Sequence, residues 1–203
     1  AIEDDPNPYA IALQAIQLKD ALPDFQSQHS QPLLSESIKP NMWVGNRAVV
    51  APHYDIHDNL ACVAAGSRKF TLFPPNQINN LYPGPTLKTP AGVPVSLVDI
   101  RDPDLKQFPK YKQALEAGFE AILEAGDAIY IPALWWHGVE SLETLNILVN
   151  YWWADNEVEK FSPGDSLIHG MMSIGQLDPA KREAWRHMFD YYVFKTMDEP
   201  SAH

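Results

Sequence analysis

The chain has 203 residues, 45% of them hydrophobic and 11% aromatic, which is enough apolar material to fill one domain core. With 15 Lys and Arg against 26 Asp and Glu the formal charge is −11, and no Lys/Arg-rich run occurs, so nucleic acid is not expected as a partner. The single cysteine, Cys62, excludes an intramolecular disulfide framework and a cysteine-based zinc site.

A reducing compartment fits that cysteine count. The apolar runs fall far short of the roughly 20 residues a membrane span needs. The start, AIEDDPNPYA, has no basic segment leading into an apolar stretch. The expectation is a cytoplasmic protein without membrane contact.

Residues 1–41 read as an N-terminal helix and loop. Asn7 can cap, Pro8 occupies the first helical position, and Ile11, Ala15, Leu18 and Leu22 recur at helical spacing until Pro23. The polar stretch DFQSQHSQPLLSESIKPN follows as loop. From Met42 the texture changes to short apolar segments punctuated by Gly, Pro and Asn: MWVG, AVVAP, LACVAA, KFTLF, then AIL, AIYIP and LNILVNYWW. These are strands by length and composition, and they place a β core over 42–160.

That core carries a Pro-rich insert over 74–118, with one helix expected around Leu105 to Ala117. A loop of this length in a compact β domain is more often functional than idle, and Pro74 to Pro94 is the candidate for shaping substrate access. Residues 161–203 return to helical spacing, and Pro179 opens a segment in which Trp185, Met188, Phe189, Tyr192 and Val193 share one face. The predicted class is mainly β, a double-stranded β-helix or jelly roll with flanking N- and C-terminal helices.

The segment APHYDIHDN sets His53 and Asp55 two positions apart, so that on an extended strand both project from one face. Imidazole plus carboxylate is a donor set suited to iron(II), and a second histidine would complete a facial triad. His137, in EAGDAIYIPALWWHGVES, is the candidate. An H-x-D alone carries little weight, because random placement gives roughly half of one in a chain of this composition. Its setting is what makes it specific: H-x-D at a strand, G-D-x-x-Y-I-P-x-x-W-W-H downstream, and N-x-x-V-N-Y-W-W after that.

Taken together, NMWVGNRAVVAPHYDIHDN, KFTLFPPNQINNLYPGP and GDAIYIPALWWHGVESLETLNILVNYWW make the chain resemble the cupin-like Jumonji-C (JmjC) family from about Met42 to Trp153. That group includes the asparaginyl hydroxylase that acts on hypoxia-inducible factor. The resemblance implies a catalytic iron(II) held by His53, Asp55 and His137, and 2-oxoglutarate chelating that metal. The cosubstrate's far carboxylate would meet a basic residue that by position is Arg68, where characterised relatives carry lysine. Arginine can pair bidentately with a carboxylate, whereas Lys69 should face the other way on a strand. Asn59 and Asn150 match asparagines that hydrogen-bond the cosubstrate or iron-bound groups, and Val50 stands where relatives have threonine. The tail is similar to a helical extension through which relatives form homodimers.

The implied activity is an iron(II)- and 2-oxoglutarate-dependent oxygenase that hydroxylates a protein or peptide side chain or a small molecule. Two rivals share the fold: a metal-binding cupin working without 2-oxoglutarate as dioxygenase or isomerase, and a non-catalytic binding module. His57 shares the face of His53 and Asp55 if the strand continues, at the rim of the pocket. Trp135, Trp136, Trp152 and Trp153 divide between core and substrate wall, and Asp127 reads as a turn residue. His29, His169, His187 and His203 read as surface. No Ser-His-Asp pattern, phosphate loop or dinucleotide fingerprint occurs.

Overall fold

Two antiparallel sheets carry the fold. A computed structural model describes residues 9, 11–29, 31–85, 93–154 and 162–196. In chain order the strands are β1 (Ala12–Gln17), β2 (Pro40–Gly45), β3 (Val49–Tyr54), β4 (Asp58–Ala65), β5 (Ser67–Phe73), β6 (Phe119–Glu124), β7 (Ala128–Ile131), β8 (Trp136–Ser141) and β9 (Asn146–Trp153). One sheet runs β1-β2-β9-β4-β7 and the other β3-β8-β5-β6.

Turn chemistry agrees with the strand pattern. Gly66 joins β4 to β5 at φ 75°, where a Cβ would stand 2.5 Å from the Leu145 carbonyl oxygen, so only glycine fits. Between β6 and β7, Gly126 takes φ 104° and the Asp127 carboxylate accepts from the Glu124 amide at 2.9 Å. Asp127 is thus a turn residue, as its sequence setting predicts.

Strand alternation gives each sheet an inner and an outer face. Inward-facing Phe70, Leu72 and Val139 meet Ala61, Val63, Ile131 and Leu148 of the opposite sheet to form the central core. Phe73 and Trp136, on the outer face of the four-stranded sheet, are covered by the insert through Leu81, Val98, Ile100 and Tyr111. The insert contributes a 3-10 helix (Pro75–Asn80) and a helix shorter than expected, α3 (Tyr111–Ala117). Much of it is therefore packing material. Residues 86–92, within the stretch assigned to substrate access, lie outside the described residues.

The N-terminal segment corrects the sequence reading. Ala12–Gln17, expected as helix, is strand β1, and only single helical turns follow: α1 (Leu18–Ala21) and α2 (Phe25–Gln28). Asn7 and Pro8, the expected helix start, lie outside the described residues. The edge of β2 supplies the reason: it pairs with β1 from Ala12↔Gly45 to Gln17↔Asn41, with a shift near Ala15, whose φ is 50°. A waiting ladder of backbone partners outweighs a helical spacing that depends on few residues. Leu18 alone keeps its core role, buried with Leu60, Val149 and Tyr151 on the outer face of the five-stranded sheet.

Chain contacts divide the protein into two compact units, 1–154 and 155–203. Within the second, α4 (Pro163–Met172) is capped by Ser162, whose Oγ accepts from the Asp165 amide, and α5 (Pro179–Tyr192) by Asp178, which accepts from Lys181. Each has proline in its first turn, as helix starts favour. Neither helix has a buried residue. Among the described residues no helix is long and apolar enough to cross a membrane.

Candidate metal centre

His53 reaches the interior because of a β-bulge. Val50 pairs with Val139, and regular pairing from there would set Pro52 opposite His137; the register shifts between Val50 and His53, so that His53 pairs with His137 instead. A bulge is where a proline is tolerated in a sheet, because the ladder bond it cannot donate is already disrupted. The two imidazole rings then lie with centroids 4.4 Å apart. Beyond His137 on the same ladder comes Leu72, so these rings project onto the inner, core-facing side.

Asp55 joins them from just past the end of β3, not from the strand itself. Its Oδ2 lies 3.7 Å from His137 Nε2, and one ligand atom from each of His53, Asp55 and His137 falls within 4.8 Å of the others. Such an N,N,O set from converging elements can hold one divalent metal and leave coordination positions open.

Each histidine is prepared to present Nε2. His53 Nδ1 is 3.0 Å from the Ala51 carbonyl oxygen, and His137 Nδ1 is 3.1 Å from that of Trp135. A carbonyl only accepts, so both rings donate from Nδ1 and keep the Nε2 lone pair free. Burial, reinforced by neighbouring His53, pushes the His137 pKa down to about 4, against the opposing pulls of Asp55 and the Trp135 carbonyl. His137 is therefore neutral at pH 7, the form that ligates a metal.

Arg68, Phe70 and Leu72 alternate along β5 on the inner face, and Arg68 pairs with Ser141 of β8. Arg68 is 7% exposed, and its Nε has no hydrogen-bond partner among the described residues. Burial lowers its pKa to about 10, so it stays a cation at pH 7. Lys69 faces the other way, as expected, and pairs with Glu120 at 2.8 Å and Glu140 at 3.7 Å.

Asn59 and Asn150 are buried and joined to each other, the Asn150 Nδ2 donating to Asn59 Oδ1 at 3.1 Å. Trp43 Nε1 donates to Asn150 Oδ1 at 2.7 Å, a partner the sequence reading missed. Trp43 also meets Trp152 edge-on, and Trp152 Nε1 is buried without a partner among the described residues. Position 43 gave no signal beyond a strand tryptophan, since its partner lies over a hundred positions away.

The remaining candidates separate cleanly. β3 ends at Tyr54, so His57 does not share its face; it is exposed and stands outside the three-residue cluster. Tyr54, unassigned by sequence, packs edge-on against Trp136 in the outer core. Trp135 packs against the central core and Trp153 against the N-terminal side. His29, His169 and His187 are exposed, and His203 lies outside the described residues. Val95 of the insert forms a bridge to His53, which brings the insert to the edge of the cluster.

Comparison with known proteins agrees with this architecture. The family profile for a cupin-like domain matches residues 2–158. Lysine-specific demethylase JMJ31 of Arabidopsis thaliana is 38% identical over 117 residues, 57% of this chain and 21% of that protein. JmjC domain-containing protein D of Dictyostelium discoideum is 38% identical over 108 residues, 53% and 23% of the two chains. Human tRNA wybutosine-synthesizing protein 5 is 36% identical over 114 residues, 56% and 33%. The matches thus span between a fifth and a third of these relatives' lengths. They point to the JmjC domain at large and not specifically to the asparaginyl hydroxylase. On the extent of the profile match, with two antiparallel sheets beneath it, this chain belongs to the cupin-like JmjC domain family.

Proposed function

We propose that the chain is an iron(II)- and 2-oxoglutarate-dependent oxygenase in which His53, Asp55 and His137 hold the metal. One observation carries the reading beyond a bare metal site: a buried cation, Arg68, with an unpartnered Nε, on the same inner face as the three ligands. A buried charge is costly until something neutralises it, so this guanidinium calls for an anion. On β8 its register partner Ser141 lies four residues from His137, roughly 13 Å at about 3.3 Å per residue. A long arginine side chain and a dicarboxylate chelating the metal together suit that separation.

Both groups fit the residues present. The mixed imidazole and carboxylate donors suit iron(II), and Arg68 can take a carboxylate bidentately. When bound, iron with 2-oxoglutarate would supply the oxidising chemistry at the target C–H bond. The chain's own work is positional. Trp43 holds Asn150, Asn150 donates to Asn59, and this pair offers amide groups to the cosubstrate from the opposite sheet. Phe70 and Leu72, which alternate with Arg68 along β5, make the inner face next to it apolar.

The substrate is a protein or peptide side chain or a small molecule. A formal charge of −11 favours these over a polyanion, although one relative is named for tRNA modification. Incubation with iron(II), 2-oxoglutarate and a peptide library is expected to give succinate above a His137→Ala control; equal succinate in both would sink the reading.

A second reading, a metal-dependent cupin working without 2-oxoglutarate, is favoured by Val50. It has no hydroxyl and is 40% exposed, at the position where the resemblance implies a threonine donor. Metal-dependent turnover by Arg68→Ala without any 2-oxoglutarate requirement would establish it.

The second unit supports a homodimer. Leu167, Met171, Met172, Trp185, Met188 and Tyr192 are all exposed, more apolar surface than two helices of a monomer usually leave in water. Light scattering at micromolar concentration is expected to give twice the chain mass, and Trp185→Glu with Met188→Glu to give the monomer. A monomeric wild type would exclude it.

A further inference from the structure

Two of the three ligands depend on one short turn. Pro132 to Trp135 closes with the Trp135 amide donating to the Pro132 carbonyl at 3.1 Å, and Leu134 sits inside it at φ 65°. That left-handed conformation strains a leucine and persists only where its surroundings hold it. The strained residue makes a specific contact: the Leu134 amide donates to the Asp55 carbonyl oxygen at 2.8 Å. Trp135, next in the turn, gives its carbonyl to His137 Nδ1. The turn therefore sets the backbone of one ligand and the ring orientation of another.

One carboxylate oxygen braces the turn from its entry side. Asp58 Oδ1 accepts from the Tyr130 hydroxyl at 2.7 Å and from the Ala133 amide at 3.1 Å. Asp58 opens β4 three residues after Asp55, whereas Tyr130 and Ala133 flank the entry to the turn. Both donors converge on one atom, which ties the chain after Asp55 to the chain before His137. Asp58 lies outside the cluster that can hold a metal.

We propose that Asp58 is a positioning residue for the metal centre: by gripping Tyr130 and Ala133 it stabilises the strained Leu134 turn that holds Asp55 in line with His53 and His137. This rests on the reading of those three as metal ligands. Groups of this kind, one step removed from a metal, typically change affinity by about 10- to 100-fold when lost.

The experiment is a Co(II) titration of the purified full chain, followed by the d–d absorption of the bound ion, with thermal melting of the metal-free protein alongside. Asp58→Ala should weaken Co(II) about tenfold or more and alter the absorption envelope. Asp58→Asn keeps the accepting oxygen and should stay within about threefold of wild type. Tyr130→Phe, at a half-exposed site, keeps the ring that stacks on Trp153, should fall between them and covers the case in which Asp58→Ala does not fold. A wild-type affinity and spectrum in a folded Asp58→Ala, or in Tyr130→Phe if only that variant folds, would overturn the proposal. Absence of Co(II) binding by the wild type would remove the metal reading itself, and the proposal with it.

Discussion

Arg68→Ala should remove most of the thermal stabilisation that 2-oxoglutarate with Mn(II) is expected to give the wild type, while leaving the ligand-free protein near wild-type stability. Breaking a buried charge pair from one side costs about 2–5 kcal/mol, so affinity for the cosubstrate should fall by about 30-fold or more. At a ligand concentration of about 100 times Kd the wild type gains about 2.7 kcal/mol, which in a chain of this size is a melting shift of about 5–10 °C. Most of that shift should be lost.

The ligand-free protein behaves differently because Arg68 is already a buried cation whose Nε lacks a partner. Its removal relieves a desolvation penalty and leaves a cavity beside Phe70 and Val139, two effects of opposite sign. Arg68→Lys should restore binding to within about tenfold. Differential scanning fluorimetry with and without 2-oxoglutarate reads all three proteins. A full ligand-induced shift in Arg68→Ala would show that the guanidinium is not the anchor.

His137→Ala should remove the metal altogether, with affinity for Mn(II) or Co(II) down by more than about a hundredfold. Loss of a residue that merely orients a ligand costs about 10- to 100-fold, and loss of a ligand costs more. His137 is the buried member of the triad and is held neutral, so its Nε2 is ready to ligate without releasing a proton. Electron paramagnetic resonance of Mn(II) or calorimetry measures the change. Near-wild-type metal binding in this variant would sink the triad, whereas metal retained in Arg68→Ala and lost in His137→Ala would separate the two binding functions.

How much of this was legible depends on the distance between partners. Local signals carried far: short apolar runs bounded by Gly, Pro and Asn became strands, Gly126-Asp127 became a turn, and Lys69 turned outward beside inward Arg68. One extended strand would set His53 and Asp55 on one face, yet β3 stops at Tyr54 and a bulge turns His53 inward. Asp55 nevertheless lies beside His53 and His137, and its carbonyl accepts from the Leu134 amide. At the N-terminus, helical spacing in Ile11 to Leu22 lost to the open edge of β2.

The amino-acid order by itself marked the candidate groups: two imidazoles and a carboxylate in strand-rich surroundings, one arginine on a strand, and an acidic chain with one cysteine. Those are properties of side-chain type and nearest-neighbour pattern, and they survive any arrangement of the strands. Tertiary structure decided whether the groups meet and in what state. The bulge at Pro52, the pairing of β3 with β8, the burial that keeps His137 neutral, the Arg68 Nε without a partner among the described residues, and the Asp58 contacts to Tyr130 and Ala133 all depend on residues brought together by the two sheets. Burial and cross-strand register are collective quantities, set by every strand at once, so no local stretch of sequence contains them.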